Sequence, residues 1–106
     1  MAAALLEKMR IEKLGNTAMI TFNLMPTDVV QYSDLPDIIN KVHKELQYIN
    51  AEVIMIMGRG PIWLYSAVVH VAAHLAKAVA VYDAINKKYV IVVSHTNIYR
   101  IGEAFE

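Results

Sequence analysis

The sequence predicts an α/β domain built on one mixed sheet of five to six strands, in the order β-β-α-β-α-β-β. Three observations carry that prediction. Residues 52–57, 78–82 and 89–93 are short apolar runs rich in β-branched residues, which suits strands buried on both faces. Residues 62–76, between the first two runs, are apolar at helical spacing and read as the crossover of a right-handed β-α-β unit. Upstream, an alternating segment and an amphipathic segment supply a further strand and helix.

Each element has its own local reason. Residues 1–8 read as a frayed leader, with ordered structure beginning near Met9. It is no signal peptide, because it lacks a basic start and a long apolar stretch. Residues 9–14 form a short strand, and Gly15-Asn16 is a turn signal. Residues 17–25 form a second strand with Ala18, Ile20, Phe22 and Leu24 on one face. Pro26-Thr27-Asp28 stops it and is placed to cap the segment after it. Residues 29–50 are the main amphipathic segment, with Ile38, Ile39, Val42, Leu46 and Ile49 at helical spacing. Pro36 either separates an earlier turn or sits in the helix's first turn, and Asn50 stops the helix. After strand 52–57, Gly58-Arg59-Gly60-Pro61 leads into helix 62–76, with Pro61 at its first position. Strand 78–82 turns through 83–88 into strand 89–93, closed by Ser94-His95, and 98–105 reads as a short edge strand.

A chain of 106 residues makes one domain, 1–106. At 57% hydrophobic content it is not a disordered chain. No cysteine is present, which excludes a disulfide framework, a zinc ribbon and a thiol nucleophile, and agrees with a cytoplasmic setting. A mean hydropathy of +0.36 is high for so small a body, so a second subunit is expected to cover part of its surface. The apolar stretch 61–82 approaches the length of a membrane span. Lys77, His70 and His74 interrupt it, and it reads as a helix followed by a strand, so no membrane partner is expected.

Net charge is zero, but residues 51–100 carry +3 and three of the four histidines. That is too little for a bulk nucleic-acid coat, and DNA is not an expected partner; a local anion site fits better. Gly58, Arg59, Gly60 and Pro61 lie between the C-terminal end of a strand and the start of a helix, where open α/β sheets take ligands. Two glycines permit positive φ and close approach, and Arg59 suits a phosphate. Trp63, one turn on, offers a stacking face for a base. The pattern is neither a Walker loop nor a dinucleotide fingerprint. His70 and His74 share a helix face at metal-ligand spacing. Asp83 directly follows a buried strand, and His95 ends the last long one.

Strand direction sharpens this. Strand 89–93 must return antiparallel to 78–82, which sets Asp83 beside the Gly58–Gly60 loop and His95 roughly 20 Å away at the other end. His74 lies toward His95. A site using both ends needs two subunits; otherwise one end binds ligand and the other holds metal.

The block Gly58-Arg-Gly-Pro-Ile-Trp-Leu64, with His74, Val79-Ala-Val-Tyr-Asp83 and Ser94-His95 in that order and spacing, resembles the small CRISPR-associated Csx-three family across residues 52–96. The resemblance implies a distantly Rossmann-like fold and a ring nuclease of type III CRISPR defence that opens cyclic tetra-adenylate. It also implies an alternative activity, a manganese-dependent exonuclease that shortens 3′ adenylate tails of short RNA. By matching position it implies that Gly58, Arg59, Gly60 and Pro61 face the ligand, that His74 and Asp83 are catalytic, and that His95 is tied to metal, Mn²⁺ being the expected ion. His70, which lacks a counterpart, joins the metal candidates by its spacing from His74. The pictured assembly is a homodimer or dimer of dimers that sandwiches the ring. One departure stands out: Ile85 occupies a position where the family pattern has arginine, and Lys87 or Lys88 can stand in only as point charges. A binding module that holds the ring without cutting it is therefore a rival reading, and a purely structural oligomeric domain is another.

Overall fold

Alternation along β2 (Thr17–Asn23) sends Ala18, Ile20 and Phe22 to one face, where each is fully buried. The computed structural model, which describes residues 3–106, seats two helices on that face. Its other elements are α1 (Ala3–Lys8), β1 (Met9–Leu14), α2 (Leu35–Ile49), β3 (Val53–Arg59), α3 (Ile62–Leu75), β4 (Ala78–Asp83), β5 (Lys88–Ser94) and β6 (Ala104–Phe105). The six strands form one mixed sheet whose spatial order is also their chain order, β1 to β6. β1–β2, β4–β5 and β5–β6 pair antiparallel, whereas β2–β3 and β3–β4 pair parallel. Both parallel connections step the same way across the sheet, so the right-handed crossover rule puts α2 and α3 on one face.

Those helices close the main core. α2 buries Ile38, Val42 and Leu46 along one stripe, and α3 buries Leu64, Val68, Val71 and Ala72. α2 ends at Asn50, whose left-handed backbone (φ 54°) lets its N–H reach the Leu46 carbonyl at 2.9 Å. On the opposite face Val53, Ala78, Ala80 and Ile91 are covered partly by Met55, Tyr89, Tyr99 and Phe105. Among the described residues no helix is long and apolar enough to cross a membrane.

The structure departs from the expected elements at four places. Residues 3–8 of the expected leader are helical, with Leu6 packed on the core and Lys8 paired with Asp28; Met1 and Ala2 lie outside the described residues. The strand expected over 17–25 stops at Asn23, whereas the amphipathic segment 29–50 divides as expected into earlier turns and a helix that begins at Leu35 with Pro36 in its first turn. The intervening chain makes turns, with a 3-10 turn at Tyr32–Asp34. Asp28 caps no helix: its carboxylate accepts the Met25 N–H at 2.6 Å and the Lys8 ammonium at 2.8 and 2.6 Å. The expected edge strand over 98–105 contracts to Ala104–Phe105, because the preceding residues fold into turns bonded back through Ser94 and Ile91.

Candidate functional site

The glycines of the β3–α3 loop do different jobs. Gly58 has φ +105° and pairs with Phe22 of β2; a Cβ there would meet the Phe22 carbonyl oxygen at 2.1 Å. Only glycine fits. Gly60 has no positive φ, contrary to the expectation for both glycines, and a Cβ there would meet the Leu64 side chain at 3.2 Å. The Tyr65 hydroxyl donates to the Gly58 carbonyl, and burial pushes that phenol up to about 12. The loop is thus pinned from below, and Arg59 projects from its crest.

The Arg59 side chain is exposed, and no described residue pairs with its guanidinium. It lines a groove of about 640 Å³ with Gly60, Pro61 and Trp63 on one wall and Met25, Asp28, Val29 and Val30 on the other. Because β2 and β3 are parallel neighbours, their C-terminal loops lie side by side, and the groove runs between them. Asp28 is the one acid in the wall, and Lys8 already matches its charge and holds its carboxyl below the ordinary value. The groove is left with a free guanidinium, the feature a phosphate requires. Sequence reasoning missed its second wall, because it read 24–25 into a strand and 29–31 into an amphipathic segment; the parallel pairing of β2 with β3 is the signal that finds it.

Asp83 ends β4. The β3–β4 register pairs Ile56 with Val81, and continuing it sets Asp83 level with Gly58, at the Arg59 end of the sheet. Its carboxylate is heavily used. Asn86 donates its side-chain amide at 2.8 Å, and the N–H of Ile85 donates at 3.0 Å. These bonds, the Asn86 amide foremost, hold the Asp83 carboxyl below its ordinary 3.8, so it is ionised at neutral pH.

Three of the four histidines lie toward the other end. The Nε2 atoms of His70 and His74 are 3.0 Å apart on exposed rings, so one donates to the other. The His95 Nε2–H donates to the Ala73 carbonyl at 2.7 Å, and its backbone N–H donates to the Lys77 carbonyl beside the start of β4. Strand direction thus separates Arg59 and Asp83 from His74 and His95 within one chain, as the sequence predicts, and His70 lies with His74.

The donor set bears on metal binding. With metal–nitrogen bonds of about 2.1 Å, neighbouring ligands of a six-coordinate ion stand about 3 Å apart, which the 3.0 Å His70–His74 separation matches. His95 is turned to Ala73, and among the described residues no group of three metal-binding side chains assembles. One chain therefore offers two ligands, and an ion held here takes the rest from elsewhere.

No curated protein and no solved structure matches the chain. One family model does: that of the CRISPR-associated protein family Cas_csx3, over residues 24–106, a span that takes in the groove, both histidine positions on α3, Asp83 and His95.

Proposed function

From the premise that the chain belongs to the Cas_csx3 family of CRISPR-associated proteins, we propose that it is a ring nuclease that binds cyclic tetra-adenylate at the Arg59 groove and opens it. The observation that carries this reading is the free Arg59 guanidinium at a groove of about 640 Å³, at the same end of the sheet as the ionised Asp83 of the neighbouring strand. A cyclic oligoadenylate presents phosphates at close intervals, and one cation in each groove lining suits a compact ligand met by two copies.

The chemistry needs little beyond positioning and proton transfer. A ribose 2′-oxygen attacks the adjacent phosphorus and forms the O2′–P bond as the P–O5′ bond breaks. The 2′-hydroxyl proton goes to a base and a proton reaches the departing 5′-oxygen, leaving a 2′,3′-cyclic phosphate and a 5′-hydroxyl. Arg59 holds phosphate charge. His74, contributed by a second copy, moves the proton, and His70 fixes its tautomer through the 3.0 Å contact, a positioning role. Asp83, being ionised, orients the imidazole and stabilises its cationic form. His70 and His74 would hold Mn²⁺ through both Nε2 atoms in place of the hydrogen bond between them, and the ion would then supply Lewis-acid charge stabilisation instead of the His74 proton transfer. The setting is cytoplasmic, and the working assembly is a homodimer or dimer of dimers.

A second reading has its own support. Both Asp83 oxygens are occupied by the turn, and Ile85, 90% exposed, puts an apolar side chain where the family pattern has a cation. These features favour a sensor that holds the ring intact.

Incubation with cyclic tetra-adenylate, with and without Mn²⁺, and chromatography of the products decides between them. Linear adenylates are expected. Arg59→Ala is expected to lose binding, and His74→Ala to bind without cutting. Mixing the two variants should restore part of the activity if the site spans two copies. An intact ring that co-elutes with the wild-type protein establishes the sensor. An intact ring with no binding overturns both readings.

A further inference from the structure

Two aromatic residues stand beside the groove, and they are not equivalent. Trp63 is half-buried and packs on the main core. Tyr32 is 75% exposed and meets Trp63 edge to face, with ring centroids 5.2 Å apart and planes at 75°. Tyr32 opens a 3-10 turn whose last residue, Asp34, is buried and accepts the Gln31 N–H at 3.3 Å. The turn fixes the tyrosine backbone and the Trp63 contact fixes its ring. A large aromatic surface is thus held open to solvent in a set orientation. Tyr65, by contrast, turns its hydroxyl inward to Gly58.

The position of that surface matters. A second recess, of about 630 Å³, is lined by Val30, Gln31, Tyr32, Ser33 and Trp63. It shares Val30 and Trp63 with the Arg59 groove, so the two are separated by one wall. A cation for phosphate and an adjoining, pre-oriented aromatic surface are the two parts that a nucleotide needs.

We infer that Tyr32 is a nucleobase shelf: an adenine whose phosphate lies at Arg59 stacks on the open surface of Tyr32, while Trp63 serves as the post that sets the tyrosine's angle. The stacking role that the sequence gives to Trp63 thereby passes to its neighbour. The inference rests on the ligand reading above and names a contact within it. Stacking supplies affinity rather than base identity, since every base has a π-surface.

Trp63 is the only tryptophan, so its emission reports on this spot alone. The test titrates the full chain with cyclic tetra-adenylate, following heat and Trp63 emission together, and with ribose 5-phosphate as a base-free probe. Tyr32→Ala is expected to weaken cyclic tetra-adenylate roughly 5- to 150-fold. Tyr32→Phe should bind as wild type, and ribose 5-phosphate should not distinguish the three proteins. The ring should shift Trp63 emission in wild type and in Tyr32→Phe. Unchanged melting temperatures are expected for both variants, the residue being exposed. If wild type and Tyr32→Ala bind the ring equally, the shelf is wrong and the ligand reading stands. If wild type binds no ring at all, both fall.

Discussion

Gly58 shows how one backbone angle can govern a site. Its φ of +105° and the 2.1 Å approach to the Phe22 carbonyl leave no room for a side chain. Gly58→Ala is expected to cost at least about 2 kcal/mol in chemical denaturation and to displace Arg59. Gly60→Ala meets only a side-chain carbon at 3.2 Å and should cost less than about 1 kcal/mol. The need for a glycine loop was legible in the sequence; which glycine carries the strain was not, because that depends on the pairing of β2 with β3. Asp83 repeats the lesson. Its place after a buried strand was readable, whereas its bonds to Asn86 and Ile85 were hidden until the turn closed. A carboxyl lowered by folding adds stability above its ordinary 3.8 and loses it as the pH falls below that value. Asn86→Ala should move the Asp83 midpoint back up toward 3.8, as followed by carboxyl NMR.

At the scale of elements, the sheet strands and two long helices were legible because their apolar periods are unmixed. α2 repeats its apolar residues at helical spacing, and Leu46 ends up 1% exposed. Leu46→Ala is expected to destabilise the fold by about 2–5 kcal/mol, read from the denaturation midpoint. What could not be read was built by tertiary contact. α1 has six residues, too short to form alone, and stands on Leu6 packing and the Lys8–Asp28 bridge. The chain from Leu24 to Gln31 belongs to no helix or strand, yet it makes half of the groove. β6 survives as two residues because Ser94 and Ile91 draw the chain before it into turns.

The whole molecule has two chemically different ends set apart by the length of β4, and no bend within one chain brings them together. If both serve one reaction, isolated monomers are inactive. Specific activity should then fall on dilution, in step with a drop in the mass measured by light scattering from a multiple of 11.9 kDa toward that value. Activity that is constant across the dissociation would confine the chemistry to a single chain.

Spatial strand order that matches chain order has a consequence for synthesis. As each strand leaves the ribosome, its neighbour is already there, and no earlier pairing has to open to admit it. The longest gap between paired strands, 24–52, is the one α2 bridges, and the helix within it shortens the span that has to close. The sheet can therefore grow at one margin, like a ribbon extended from its free edge, and the groove walls are complete once β3 and the start of α3 have emerged, before the strand bearing Asp83 is made.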